Sequence, residues 1–258
     1  MGKFTDRTGE KIFNRQGLEM EIIKYRNSLD IDVEILTNPY NYIIKNCAYS
    51  QFRRQCLESP LFPTVYNIGY MGIGKYSSVD EYGNKSKIYN QWVNMLSRCY
   101  NDKYIKLRPT YEGCKVDKGF HCYQNFVEWY INNKWSKDCL NVDKDILNKG
   151  NKTYSYENCV LVDNRLNSLF CKSNAIRGKY PIGVNFDKER NKYVSQCWNG
   201  KGVKMLGRYS TPLEAFQAYK QFKESYIKQV ADEYKQKYPN FPDKLYNAMY
   251  NYKVEITD

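Results

Sequence analysis

Apolar and polar residues change their spacing along the chain, and the changes divide it into three segments. In residues 1–76 they alternate as strands require. Met20-Glu21-Ile22-Ile23-Lys24-Tyr25 and Ile31-Asp32-Val33-Glu34-Ile35-Leu36 are short runs separated by Asn27-Ser28-Leu29-Asp30, a hairpin-like turn. The pattern predicts a small β-rich, barrel-like module. From Ser86 the period becomes helical. Ile88, Trp92, Met95 or Leu96, and Cys99 predict a helix over 86–101 with one apolar face, and Tyr123, Phe126, Trp129 and Tyr130 predict a second over 122–133. The aromatic residues of both faces are expected in a core.

The third segment begins near Tyr180. Gly183-Val184-Asn185-Phe186, Lys192 to Trp198 and Val203 to Tyr209 read as three strands, with Asn199-Gly200 as a tight turn between the last two. Thr211-Pro212-Leu213-Glu214 is a capping box with proline at the first helical position. Ala215, Ala218, Tyr219, Phe222, Tyr226 and Val230 then mark one face of a long helix. Three strands backed by one helix make a minimal two-layer domain. The tail beyond Tyr238, with Pro239, Pro242, Tyr246, Tyr250 and Tyr252, reads as a packing extension. The expected fold is therefore α+β in three modules: residues 1–76, β-rich; 77–175, helices followed by a strand-turn-strand-helix unit; and 176–258, a three-stranded antiparallel sheet on one long helix.

Composition narrows the class of partner. The chain carries 40 Lys and Arg against 28 Asp and Glu, a net charge of +12 in 258 residues, which points to a polyanion and above all to nucleic acid. No amphipathic basic helix, lipidation signal, membrane-spanning apolar run or signal-peptide core accompanies that charge, so a soluble intracellular protein with no membrane partner is expected. Its nine cysteines are then reduced. Cys99, Cys114, Cys139 and Cys159 match no common zinc spacing, so no zinc is expected and buried thiols are the default reading. Gly69, Gly74 and Lys75 are spaced as in a phosphate-binding loop, but Tyr76 stands where Ser or Thr would ligate magnesium; glycines of a linker explain the segment better. The chain has one histidine, His121, which reads as a packing or surface residue.

The stretch from Val142 to Asn167 carries the candidate chemistry: Val142-Asp143-Lys144-Asp145, then Tyr154-Ser155-Tyr156-Glu157-Asn158-Cys159-Val160-Leu161-Val162, then Asn164-Arg165-Leu166-Asn167. It resembles the HNH nuclease family, common in bacteriophages and including homing endonucleases. In that family an Asp-His pair closes one strand, an Asn follows, and a His or Asn sits on the next helix. The resemblance implies Asp143, Lys144 and Asn158 at the catalytic positions, with Asp143 and Asn167 as oxygen ligands for magnesium. Lys144 stands where the family has its general base. Lysine ordinarily titrates near ~10.4 and is a poor base at neutral pH. It can act only if its pKa is lowered; otherwise it is a phosphate-contacting cation on a site that binds DNA and cuts slowly or not at all, which is the preferred reading.

Gly183-Val184, Leu206-Gly207-Arg208-Tyr209, Glu214-Ala215 and Ala218-Tyr219 resemble the plant APETALA2-type DNA-binding domain, which implies a sheet laid into the major groove of duplex DNA. Charge agrees independently: residues 176–209 hold Arg177, Lys179, Lys188, Arg190, Lys192, Lys201, Lys204 and Arg208 against only Asp187 and Glu189, whereas 212–235 are balanced. Strand alternation puts Lys192, Val194, Gln196 and Trp198 on one face and Tyr193, Ser195 and Cys197 on the other. The positions of the family's base-reading arginines are Asn185 and Trp198 here, so its sequence preference does not transfer. Asn185, Gln196 and Trp198 are candidate base contacts, and Lys188, Arg190, Lys192, Lys204 and Arg208 candidate phosphate contacts. Three functions follow as expectations. The first is duplex-DNA binding on a nuclease scaffold with weak or lost cleavage. The others are an active magnesium-dependent endonuclease or nickase, and a protein-binding inhibitor or adaptor that reuses the scaffold. A phage origin would place it in the cytoplasm of the infected bacterium.

Overall fold

The computed structural model describes residues 5–171 and 178–258, and the chain divides into two compact units, Met1–Trp129 and Tyr130–Asp258. The boundary expected near residue 175 lies outside the described residues. The architecture is α+β, with several small sheets, and no described helix is long and apolar enough to cross a membrane.

The first unit opens with an antiparallel meander of β1 (Lys11–Phe13), β2 (Glu19–Asn27), β3 (Asp30–Ile35) and β4 (Tyr42–Cys47) in that spatial order. Asn27 pairs with Asp30, so the β2–β3 turn falls where the sequence places it. Alternation buries Met20 and Ile22 of β2 and Ile31, Val33 and Ile35 of β3 in one core, each such side chain stabilising the fold by about 1.5–3 kcal/mol. The short helix α1 (Tyr49–Arg53) adds Phe52, so the Phe52-Arg53-Arg54 segment gives its aromatic ring to the core. The sheet is open, with β1 and β4 as edges, and this corrects the barrel expectation: four strands are too few to close a barrel whose interior holds side chains.

Further along, α2 (Lys87–Tyr100) is N-capped by Ser86, whose hydroxyl accepts from Tyr89 N at 3.0 Å. Its apolar face buries Trp92, Met95, Leu96 and Cys99, as periodicity predicts. Then come α3 (Asp102–Leu107), β5 (Lys115–Val116) and α4 (Tyr123–Asn132), the last crossing the point where the two units divide. The Trp92 indole donates to Phe120 O at 2.7 Å, and the ring of His121 is bonded to Val116 O at 2.9 Å, a packing role. The glycine-rich segment is packed rather than a linker. A side chain at Gly69 would strike Trp92 and Leu96, and one at Gly74 would strike Gln124. The Gln124 amide accepts from Tyr76 N and donates to Tyr76 O, both at 2.9 Å, pinning the segment to α4.

The second unit contains β6 (Asn141–Asp143), β7 (Thr153–Tyr154), β8 (Val160–Val162) and α5 (Asn164–Leu169), then β9 (Val184–Asp187), β10 (Lys192–Trp198), β11 (Val203–Tyr209), α6 (Pro212–Lys237) and α7 (Asp243–Tyr250). The three-stranded antiparallel sheet runs β11-β10-β9 and packs through Val184 and Cys197 on Ala215, Phe216 and Tyr219 of α6. The capping box at Thr211 and Glu214 forms as expected. Gly183 has φ +77° and lies against the Tyr219 ring, where any side chain would clash. The second half of α6 buries Ile227, Val230, Ala231 and Tyr234. There Trp135 meets Tyr238, Phe241 and Tyr234 edge-on, at ring-centroid separations of 4.9, 5.1 and 5.8 Å. The tail forms α7 on α6 and buries Leu245 and Met249, a packing extension.

Candidate functional site

The nuclease-like stretch folds as a small strand-strand-helix unit. β6 and β8 pair antiparallel, Asp143 facing Val160, and α5 packs on both. Local chemistry explains each piece. Val160, Leu161 and Val162 are all buried, which fixes β8. Asp163 caps α5, its Oδ1 accepting from Leu166 N at 2.8 Å. The Trp135 indole donates to Leu161 O at 2.7 Å, and the Tyr130 hydroxyl and Leu140 backbone exchange bonds of 2.7 and 2.8 Å, so the hairpin is held from outside as well.

Asp143 ends β6, and its Oδ1 accepts from the backbone N–H of both Asp145 and Ile146 at 2.8 Å. Burial raises its pKa above the ordinary carboxylate range, against the lowering effect of those two amides and of Lys144, while Asp145 adds to the rise. Asn167 lies on α5, the helix packed against β6. The two residues supply a carboxylate and an amide oxygen, the hard-donor chemistry of a magnesium site that keeps most of its waters. Bound there, the cation would lower the pKa of a water and neutralise charge on a phosphate. Among the described residues no three His, Cys, Asp or Glu side chains converge in a group suited to a metal.

Lys144 departs from both roles expected of it. It is 5% exposed, and its ammonium donates to Asp145 Oδ1 and Oδ2 at 2.7 Å each and to Asn151 O at 2.6 Å, with the Tyr154 ring 5.8 Å away. An ammonium has three protons, and all three have oxygen acceptors within the protein. Asn151 completes the cage, its amide donating to Lys144 O and Thr153 O at 2.8 Å. The group is thus neither presented to a phosphate nor placed to take a proton. Asn158, the other catalytic candidate, is half-buried and its Oδ1 accepts from Asn148 at 3.1 Å. Cys159 is buried within the same hairpin, its thiol pushed up to about 12 by desolvation, so it is no nucleophile.

The sheet of the same unit presents the other candidate surface. Register places Asn185, Val194 and Arg208 in one row across the three strands, then Gln196 beside Met205 and Trp198 beside Val203. Ser195 and Cys197 are buried toward α6, so the predicted alternation of β10 holds. A bulge falls between Ser195 and Gln196, and Ser195 Oγ is buried without a hydrogen-bond partner. Trp198, Val203 and Met205 are 53, 65 and 52% exposed, an apolar patch on the face away from the helix. Asp187 accepts from Arg190 at 3.3 Å and from Arg208 at 3.4 Å, contacts that hold its pKa below the ordinary value together with the Arg190 backbone N–H, the largest contributor. Both guanidinium groups remain partly exposed. Lys192 donates to Ser210 Oγ at 3.1 Å, and Lys188 is exposed in the β9–β10 turn. Lys204 is a correction. It pairs in register with the buried Cys197, and its ammonium lies 5.0 Å from the Phe222 ring of α6, so it faces the helix side. Arg177 lies outside the described residues.

Sequence reasoning missed the residues that tie these two regions together. Tyr234 donates to Asp163 Oδ2 at 2.7 Å, Arg165 pairs with Glu233 at 2.8 Å, and Lys244 donates to Cys159 O at 3.1 Å. Tyr234 continues the apolar period of α6 beyond Val230, and that was the available signal. No protein-family model matches the chain, and no curated protein or solved structure does so at a significant level.

Proposed function

We propose that the protein binds duplex DNA through the outer face of the β9–β11 sheet, on a nuclease-like scaffold that cleaves weakly or not at all. The observation that carries the binding reading is the exposed patch of Trp198, Val203 and Met205 with Gln196 beside it, continued along the sheet by Asn185 and Arg208 on either side of Val194 and by Lys188, Arg190 and Lys192 at the other end of β10. Apolar groups of that size suit thymine methyls and sugar edges, the two amides suit adenine edges, and the cations suit phosphates. The caged Lys144 supports loss of cleavage, since no residue stands at the base position with a free lone pair. Asp143 and Asn167 are the residues that would hold magnesium if any cutting persists.

A mobility shift tests the binding half. Complex formation is expected to fall steeply with salt and to weaken further in Lys192→Glu and Trp198→Ala; unchanged shifts in both variants would remove the sheet as the contact surface. A supercoiled-plasmid assay with magnesium or manganese tests the cleavage half. Little nicking is expected, and nicking abolished by Asp143→Ala and Asn167→Ala would favour the active endonuclease instead. Failure to bind any duplex at low salt would move a protein partner to the front.

A further inference from the structure

The outer face of the β9–β11 sheet is sorted by chemistry along its length. Val184 is buried toward α6, so alternation turns Asn185 and Asp187 of β9 outward. Register lays the face out in rows: Asp187 beside Lys192, Asn185 and Arg208 on either side of Val194, Gln196 beside Met205, and Trp198 beside Val203. Toward the Trp198 end the outward strand residues are amides or apolar groups. Charge collects at the other end, and there it is tied together. The Asp187 carboxylate accepts from Arg208 Nε at 3.4 Å, from Arg190 Nη1 at 3.3 Å and from the Arg190 backbone N–H at 3.2 Å. Lys192, the remaining outward cation of the strands, donates to Ser210 Oγ at 3.1 Å.

Guanine is read most often by a guanidinium or ammonium at O6 and N7, and cytosine by a carboxylate at N4. On this face the guanidinium groups and the carboxylate are bound to each other. What stays free is the chemistry of the A·T pair: amides that match adenine N6 and N7, and apolar side chains that match the thymine methyl. We infer that the sheet selects A·T-rich duplex sites, and that Asp187 sets this preference by holding Arg208 and Arg190 away from base edges. The inference rests on the duplex-binding reading above. Asp187 is a positioning residue, acting through the two arginines rather than by touching a base. Each guanidinium has five N–H donors, so those not spent on Asp187 remain for phosphate oxygens. The Arg190 backbone N–H and both guanidinium groups hold the carboxyl of Asp187 below the ordinary pKa, so the clamp persists across the working pH range.

Enrichment of duplexes from a random pool by the full chain tests this, followed by affinity measurements on the enriched sequence with uracil in place of thymine. The enriched sites are expected to be A·T-rich. Uracil should weaken binding roughly fourfold for each methyl the patch covers, the worth of one buried CH₂ group. In Trp198→Ala that sensitivity should shrink. Asp187→Asn keeps the size of the side chain and releases both arginines, so its enriched sites should gain guanine at fixed positions. Asp187→Asn combined with Arg208→Gln should lose that guanine again, a reversal that a merely structural role for Asp187 would not give. Wild-type sites rich in guanine, or a uracil duplex bound as tightly as the thymine one, would overturn A·T selection while leaving duplex binding intact. An unchanged base preference in a folded Asp187→Asn would overturn the role of Asp187. Failure to enrich or bind any duplex would overturn the duplex-binding reading, and this inference with it.

Discussion

Replacing Lys144 by Met separates a structural lysine from a DNA-contacting one. Met keeps most of the aliphatic stem and removes the ammonium. Three bonds are lost, two to Asp145 and one to Asn151 O. The Asp145 side chain is 51% exposed, so its half of the pair is screened by water and is worth at most about 1 kcal/mol. The Asn151 carbonyl is inside the cage and loses a charge-assisted bond, worth roughly 1.5–3 kcal/mol. The expected cost is thus about 2–3 kcal/mol, at or below the lower end of the roughly 3–5 kcal/mol typical of fully buried pairs. At about 2–4 °C per kcal/mol for a chain of this size, Tm should fall by roughly 5–10 °C in a thermal unfolding scan. DNA affinity at a temperature where the variant remains folded should be unchanged. A variant with wild-type Tm and weaker, less salt-dependent DNA binding would refute the cage and restore Lys144 as a phosphate contact.

Further outcomes follow from other positions. Burial raises the folded-state pKa of Asp143, so its contribution favours folding below the unfolded carboxylate range and is lost as pH rises through the folded value. Asp143→Asn should therefore gain stability relative to wild type between pH 4 and pH 7 in chelator-treated urea titrations; a constant difference would mean the carboxylate is not strained by burial. Ser195→Ala removes a buried hydroxyl with no partner and should stabilise by about 1 kcal/mol, read as a higher urea midpoint, whereas a loss of that size would reveal a hidden acceptor. Gly183→Ala should cost about 3 kcal/mol, combining a left-handed backbone with a clash on Tyr219, and a neutral effect would mean the β9 turn relaxes freely.

Local rules made most of the elements legible. Ser86 and the Thr211–Glu214 box mark helix starts, Asn199-Gly200 marks a turn, and strict alternation in β10 separates its faces. What escaped the sequence was long-range. The Lys144 cage closes on Asn151, seven residues away, through a backbone carbonyl that no side-chain pattern reports. Lys204 carries the right charge in the right strand, yet register with Cys197 turns it toward Phe222. The glycines at 69 and 74 match a phosphate loop in spacing because close approach to Trp92 and Gln124 demands the same missing side chain. Whether a meander closes likewise depends on strand number and curvature, which alternation alone does not encode. For the candidate site, the positions of Asp143 and Asn167 on adjacent elements were readable, while the buried, internally bonded state of Lys144 was not.

The placement of Trp135 has a consequence for how such a chain can be recombined. Its indole sits among Tyr234, Tyr238 and Phe241, which come from the far end of the sequence. A graft that begins at residue 176 would carry those three rings away with the sheet and leave the strand-strand-helix unit with an open apolar socket. The piece to move is instead residues 130–258 taken whole, which keeps Trp135 together with the rings that enclose it.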